Sequence, residues 1–110
     1  MFVKTATDKT LNSTIETNKV LLVKAGASWC PPCKALAPTL EKVAEERQES
    51  LPIYDLDIDD CPSTSQSLRI QGVPTMVLFH NGQEIARKSG NMAKGALDAW
   101  LNSELEKVGG

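Results

Sequence analysis

An apolar run, Val20–Val23, is followed within about a dozen residues by a helical repeat, and this succession constrains the fold more than any other feature. A short continuous run of this kind is typical of a strand buried on both faces. A segment with glycine, serine and two prolines interrupts it, and Leu36, Leu40 and Val43 then recur at helical spacing. A buried strand leading directly into an amphipathic helix indicates an α/β fold.

The remaining segments extend this pattern. The predicted strands are Phe2–Lys4, Val20–Val23, Ile53–Ile58, Met76–Phe79 and Ile85–Arg87, and the predicted helices hold Leu11 with Ile15, Cys33–Arg47, Ser63–Leu68 and Leu97–Leu105. Asp8 or Asn12 is expected to cap the first helix, and Pro38 is expected to kink the second without ending it. Asn81-Gly82 predicts a hairpin between the last two strands. The order β-α-β-α-β-α-β-β-α predicts one α/β domain over residues 1–110, with a mixed sheet covered by helices on both faces.

Composition excludes several classes of protein. The chain has 110 residues, 41% of them hydrophobic, and a net charge of −2, so it can bury a core and lacks the basic patch of a nucleic-acid binder. Its longest apolar runs, Val20–Val23 and Met76–Phe79, are far shorter than a membrane span. The first residues lack the features of a secretory signal. We expect a cytoplasmic protein.

The chain has three cysteines, so a framework of structural disulfides would leave one of them unpaired. Cys30 and Cys33 flank Pro31-Pro32 where the strand gives way to the helix, a spacing that places both sulfurs within disulfide reach. A helix N-terminus favours an anion and lowers the pKa of a thiol. We therefore expect Cys30 to attack target disulfides as the nucleophile, and Cys33 to resolve the mixed disulfide.

The segment Trp29-Cys30-Pro31-Pro32-Cys33-Lys34 resembles the active site of the thioredoxin family. The likeness continues from about Val20 to the last helix through Pro38, Asp57-Ile58-Asp59, Ile70–Thr75, Phe79–Gly82 and Gly90. The resemblance implies a divergent thioredoxin that reduces protein disulfides, taking part in electron transport and cell redox homeostasis. It implies no cofactor beyond a Cys30–Cys33 disulfide, and a three-layer fold with a mixed five-stranded sheet flanked by four helices.

The resemblance also implies where a target polypeptide docks. Pro74 matches the family's cis-proline beside the cysteines, and Val73 is then expected to offer main-chain hydrogen bonds to the target. The other expected contact residues surround these positions: Trp29, Pro31, Pro32, Gly72, Gly90 and Asn91. Without the cysteines, Val73-Pro74-Thr75 is typical of an ordinary strand start. The implied partners of this expected monomer are protein disulfides and a thioredoxin reductase.

Two charged positions depart from the family's pattern. Lys24 stands where the family keeps a buried Asp, and Asp55 stands where it keeps a Lys on the neighbouring strand. A buried lysine must pair or lose its proton, because an unpaired buried charge is costly. We predict a titratable catalytic pair behind Cys33, in which Asp55 or neutral Lys24 accepts the proton of the thiol. In the alternative, Lys24 extends to solvent and has no catalytic part.

Other departures concern the surroundings of the cysteines. Pro31-Pro32 replaces the commoner Gly-Pro, and Ala25-Gly26 replaces two aromatic residues, which thins the packing under the active-site loop. Cys61 matches no catalytic position of the family, and we expect an inert thiol there, with a dimerising or regulatory cysteine as the alternative.

Three other functions compete with a thioredoxin. Cys30, Cys33, Cys61 and His80 together form a Cys₃His set of the kind that zinc accepts, although Cys61 and His80 lack partners at the usual spacing. A thioredoxin-like chain can also serve as a binding subunit in which the cysteines are dispensable. A glutaredoxin fits less well, because Trp29 and the Asn-Gly hairpin favour a thioredoxin.

Overall fold

Five strands and four helices alternate along residues 1–109, the residues that the computed structural model describes. In chain order they are β1 (Lys4–Thr5), α1 (Leu11–Thr17), β2 (Val20–Gly26), α2 (Pro31–Glu46), β3 (Ile53–Asp57), α3 (Pro62–Ser67), β4 (Thr75–His80), β5 (Gln83–Ser89) and α4 (Lys94–Lys107). This order confirms the one predicted from the sequence. Gly110, the last residue of the predicted domain, lies outside the described residues.

β2 lies at the centre of the sheet, whose strand order is β1-β3-β2-β4-β5. β3 runs parallel to both β1 and β2, whereas β4 runs antiparallel to both β2 and β5. Every residue of β2 from Leu21 to Gly26 is buried, because strands pair with both of its edges and helices cover both of its faces. The mixed five-stranded sheet is confirmed, and it holds the end of β2 rigidly below the cysteines.

Successive side chains of β2 point to opposite faces of the sheet. On one face Leu22 packs with the apolar residues of α2 and α4. On the other face Leu21 and Val23 pack with α1 and with residues that flank α3. The three layers are therefore two helices, the sheet and two helices.

α2 carries the cysteines and runs without interruption from Pro31 to Glu46, through Pro38. Proline is tolerated in the first turn of a helix, where its missing N–H has no helical partner. Leu36, Leu40 and Val43 form the buried stripe that fixes the helix against the sheet. The predicted continuation of the helix past Pro38 is confirmed.

Asn81 and Gly82 join β4 to β5 with positive φ angles of 51° and 83°, which confirms the predicted hairpin turn. Within residues 1–109, none of the helices is both long enough and apolar enough to pass through a membrane.

The N-terminal segment differs from the prediction. β1 is Lys4–Thr5 rather than Phe2–Lys4, and the Glu41 carboxylate of α2 accepts the backbone N–H groups of Phe2 and Val3 instead. Neither Asp8 nor Asn12 caps α1, whose N-cap is Thr10. The prediction of the cap was wrong because it weighed only local preferences.

Candidate active site

The turn between β2 and α2 brings Cys30 and Cys33 together. Cys30 is the N-cap of α2 and keeps extended backbone angles, while Cys33 is the third helical residue. Their Cα atoms are 5.3 Å apart and their sulfurs form a disulfide. This confirms that the two sulfurs lie within bonding reach.

The start of the helix presents a hydrogen-bond donor to the first sulfur. The Cys33 backbone N–H donates to Cys30 Sγ over 3.2 Å. Pro31 and Pro32 have no N–H, so Cys33 supplies the first backbone donor of the helix. An N–H and the positive end of a helix dipole both stabilise negative charge on this sulfur.

A second loop forms the opposite wall of the site. Val73–Pro74 is a cis peptide bond, as the family resemblance implied, and the Val73 carbonyl oxygen lies 3.7 Å from Cys30 Sγ. The loop is held by the Thr75 hydroxyl, which donates to the Gly72 carbonyl over 2.7 Å, and by the Gly90 N–H, which donates to the Pro74 carbonyl over 2.9 Å. Within residues 1–109, the backbone groups of Val73 pair with no other backbone group.

A shallow groove of about 330 Å³ lies beside the disulfide. It is lined by Trp29, Ile58, Ile70, Gln71, Gly72 and Val73. Trp29 is 62% exposed, yet its indole N–H donates to Asp59 Oδ2 over 2.8 Å, which fixes the ring at the edge of the groove.

The predicted contact residues differ in their position around this groove. Trp29, Gly72 and Val73 line it, while Pro31 and Pro32 are exposed next to the disulfide. Gly90 contacts the site through its hydrogen bond to the Pro74 carbonyl. Asn91, the next residue, is exposed but does not line the groove.

Sequence reasoning gave no role to Ile58, Ile70 and Gln71, which also line the groove. All three lie within segments that the family resemblance covers, Asp57-Ile58-Asp59 and Ile70–Thr75. The signal that could have identified them is an apolar or amide side chain at, or just beyond, the end of a predicted strand or helix.

Lys24 and Asp55 are in register on adjacent parallel strands and form an ion pair, with Lys24 Nζ 3.0 Å from Asp55 Oδ1. The side chain of Lys24 is only 8% exposed, whereas that of Asp55 is 44% exposed. Lys24 therefore does not extend freely to solvent, so this part of the alternative expectation is wrong, while a catalytic role for Lys24 stays a prediction. The carboxylate offsets the cost of burying the ammonium group.

The structure does not bring the Cys₃His set together. Cys61 belongs to a different apolar cluster from Cys30 and Cys33, and His80 pairs with Val20, at the end of β2 remote from the cysteines. In the part of the chain that the structure describes, no three His, Cys, Asp or Glu residues are grouped so that they could hold a metal ion.

Comparison with known proteins agrees with this geometry. The family described as Thioredoxin has a sequence model that matches residues 2–103. The thioredoxin of Acidithiobacillus ferridurans is 40% identical over 91 residues, which cover 83% of this chain and 84% of that protein. The thioredoxin of Mycobacterium bovis is 39% identical over 99 residues, covering 86% of this chain and 85% of that protein.

A further relative is a fusion protein. The bifunctional thioredoxin reductase/thioredoxin of Mycobacterium leprae is 40% identical over 83 residues, or 76% of this chain and 18% of that protein. The family match spans nearly the whole chain, and two cysteines form a disulfide at the start of a helix. The chain belongs to the thioredoxin family of thiol–disulfide oxidoreductases.

Proposed function

We propose that this chain reduces disulfides in other polypeptides, with Cys30 as the nucleophile and Cys33 as the resolving thiol. The observation that carries the proposal is the hydrogen bond from the Cys33 N–H to Cys30 Sγ, 3.2 Å long. The same donor stabilises a thiolate on Cys30 in the reduced protein, and the thiolate is the form of cysteine that attacks disulfides.

The reaction proceeds in two exchange steps. The Cys30 thiolate bonds to one sulfur of the target disulfide, and the other target sulfur leaves as a thiolate that takes a proton from water. Cys33 then loses its proton and bonds to Cys30 Sγ, which breaks the bond between Cys30 and the target. Two electrons pass to the target, and the chain is left with the Cys30–Cys33 disulfide.

Docking of the target rests on the groove and its neighbours. Among residues 1–109 the N–H and carbonyl of Val73 pair with no other backbone group, and we assign them to pairing with an extended segment of the target, in the manner of an added strand. We assign side-chain contact to Trp29, Pro31, Pro32, Gly72, Gly90 and Asn91, with Pro74 shaping the loop. Trp29 supports this assignment, since it combines large exposed apolar area with a fixed orientation.

Lys24 and Asp55 are the remaining members of the proposed catalytic set. Their ion pair lies on the central strands directly below the start of α2 and supports a role in handling the proton of Cys33. A charged pair with one buried member is a common way to tune a reacting group.

We further propose the cellular setting of the activity. The fusion of a thioredoxin to a thioredoxin reductase in Mycobacterium leprae supports a reductase of that type as the source of electrons. We propose that residues 1–110 form one domain acting as a cytoplasmic monomer, in electron transport and redox homeostasis. We also propose that it needs no cofactor besides its own disulfide and binds neither nucleic acid nor membranes.

The test is reduction of insulin disulfides with dithiothreitol as the electron source. Cys30→Ser is expected to reduce insulin no faster than dithiothreitol alone, because no nucleophile remains. Cys33→Ser is expected to accumulate a mixed disulfide between Cys30 and the target, detected by intact-mass spectrometry. Cys61→Ala is the matched control, and it should keep the wild-type rate.

A binding subunit with dispensable cysteines would behave differently. It needs only the groove, so Cys30→Ser would leave its activity in the host assembly intact. Turnover of insulin by wild-type protein at the rate of dithiothreitol alone would rule out the proposed reductase.

A further inference from the structure

Gly26, the last residue of β2, leaves a space that a cation and a sulfur share. A methyl group in place of its hydrogen would lie 2.9 Å from both Cε and Nζ of Lys24, and 3.4 Å from Cys33 Sγ. The ammonium of Lys24 and the sulfur of Cys33 are therefore separated by no more than the sum of two of these distances, about 6.3 Å. A unit charge at this range favours the thiolate form of a neighbouring thiol.

The strand geometry explains why the ammonium lies there. Lys24 and Gly26 are two residues apart on β2, so both face the same layer as Leu22, which packs with α2. The side chain of Lys24 extends along the strand toward Gly26, where a larger residue would compete for the space. Asp55 meets the same ammonium from β3.

We propose that the Lys24 ammonium, seated in the space that Gly26 leaves open, stabilises the thiolate of Cys33 and thereby speeds the resolving step. This inference rests on the proposed function. An ammonium paired with a carboxylate at 3.0 Å has no site left for a further proton, so Lys24 acts through its charge and not as a base. The proton of Cys33 passes to water, and the resulting thiolate bonds to Cys30 Sγ as the target sulfur departs.

A cavity of about 330 Å³ beside the ion pair gives water access to this region. Its charged lining groups come from four elements: Lys4 on β1, Lys24 on β2, Asp55 on β3 and Glu41 on α2. The Glu41 carboxylate is engaged by the N–H groups of the N-terminal segment, and Asp57 stands next to Gly26 in the strand register. Lys24 Nζ is the charged atom that shares the Gly26 space with the sulfur.

The principal test measures the pKa of Cys33 directly. In a Cys30→Ser/Cys61→Ala background Cys33 is the one remaining thiol, and its ¹³Cβ chemical shift reports its titration. We expect Lys24→Met to raise the pKa of Cys33 by about one to two units, because it removes the favourable charge. Lys24→Arg keeps a cation at the site and is expected to restore most of the shift.

The kinetic test separates the two exchange steps. Reduced protein is mixed with an aromatic disulfide reagent in a stopped-flow instrument, where a bimolecular phase reports attack by Cys30 and a unimolecular phase reports attack by Cys33. Lys24→Met is expected to slow only the second phase, by about three-fold per unit of pKa, because lower thiolate content outweighs higher nucleophilicity. Loss of the first phase would instead mean that the proposed function is wrong.

Two further variants distinguish charge from structure. Gly26→Ala meets only the flexible end of Lys24 at close range, so we expect it to fold, to displace the ammonium and to slow the second phase in the same direction as Lys24→Met. The double variant is expected to be no slower than Lys24→Met alone. Asp55→Asn keeps the cation but removes the carboxylate that pairs with it, so we expect it to slow the second phase less than Lys24→Met does.

Three results would overturn the inference. The first is an unchanged or lowered pKa of Cys33 in Lys24→Met. The second is a second phase that Gly26→Ala leaves at the wild-type rate. The third is a slowing in Asp55→Asn equal to that in Lys24→Met, which would make Asp55 the proton acceptor.

Discussion

Two helices of this chain begin in the same way, yet only one of them carries the redox site. Cys30 and Cys61 are the N-caps of α2 and α3, and a proline follows each cysteine in the first turn. Both residues are almost fully buried, with 3% and 2% of their surface exposed. Neither the local sequence nor the burial explains why the two thiols differ.

The difference lies in what each sulfur contacts. Cys30 Sγ accepts the N–H of the third helical residue, Cys33, whereas the side chain of Cys61 caps nothing. At the corresponding position of α3, the Thr64 N–H is taken by Asp8 Oδ1 over 2.9 Å. Cys61 Sγ instead donates to the Ala6 carbonyl, 3.6 Å away.

The charges around the two sulfurs also differ. Burial raises the pKa of the Cys61 thiol, and the negative charges of Asp8, Asp60 and Asp57 raise it further. Neither helix has an acidic residue in its first turn, but Lys24 places a cation near the start of α2. A helix start therefore activates a cysteine only when its donors point at the sulfur and no carboxylate has taken them.

The largest expected consequence is a difference in alkylation rate. In the fully reduced protein at about pH 7, Cys30 should react with iodoacetamide at least about 100-fold faster than Cys61, because only Cys30 is stabilised as a thiolate. Timed labelling followed by peptide mass spectrometry measures both rates in one sample. The control is protein unfolded in urea, in which the two rates should converge.

Similar alkylation rates for Cys30 and Cys61 in the folded protein would contradict this prediction. They would mean that the donor from Cys33 and the carboxylates near Cys61 have no influence on thiol reactivity.

An intermediate effect is expected on stability at high pH. The pKa of Cys61 is raised in the folded state. The contribution of this thiol to the free energy of unfolding is therefore fully present below the pKa of the unfolded thiol, near 9.0, and is lost as pH rises through the raised folded value. Cys61→Ala should cost about 1 kcal/mol of unfolding free energy at neutral pH through lost packing. The difference from wild type should then shrink above about pH 9.

Urea unfolding across this pH range, followed by far-ultraviolet circular dichroism, measures the difference. All other ionisable groups are the same in both proteins, so their contributions cancel in the comparison. A gap between the two proteins that stays constant with pH would contradict the raised pKa.

The sequence predicted the disulfide, the start of α2 and the last hairpin because these features are local. The disulfide reach, the proline-tolerant start of α2 and the Asn81-Gly82 hairpin each depend on residues within one or two turns of one another. The pairing of Lys24 with Asp55 depended on the family resemblance, which indicated that the two charges had been exchanged. The structure confirms that these side chains meet.

Long-range contacts were not accessible in the same way. The Asp8 carboxylate accepts hydrogen bonds from Thr64, 56 positions along the chain, and does not cap α1, whose N-cap position is Thr10. No periodicity or local propensity specifies such a partner. The space shared by Lys24 and Cys33 at Gly26 likewise arises only when α2 packs on the sheet.

The smallest expected effect concerns Asp8, which accepts the Thr64 N–H at the start of α3 and also places a negative charge near Cys61. The side chain of Thr64, and next its N–H, lower the pKa of Asp8 by donating to the carboxylate. The resulting stability is present above the unfolded pKa and is lost as pH falls through the lower folded value. Asp8→Ala should therefore lower the urea midpoint at about pH 7, and the midpoints of variant and wild type should converge in strong acid.

Asp8→Asn keeps an acceptor for Thr64 but removes a negative charge from the vicinity of Cys61. It should lower the pKa of Cys61 and raise its alkylation rate slightly, while Cys30 reacts as before. A rate for Cys61 that is unaffected by Asp8→Asn would show that the charge of Asp8 does not contribute to the low reactivity of this thiol.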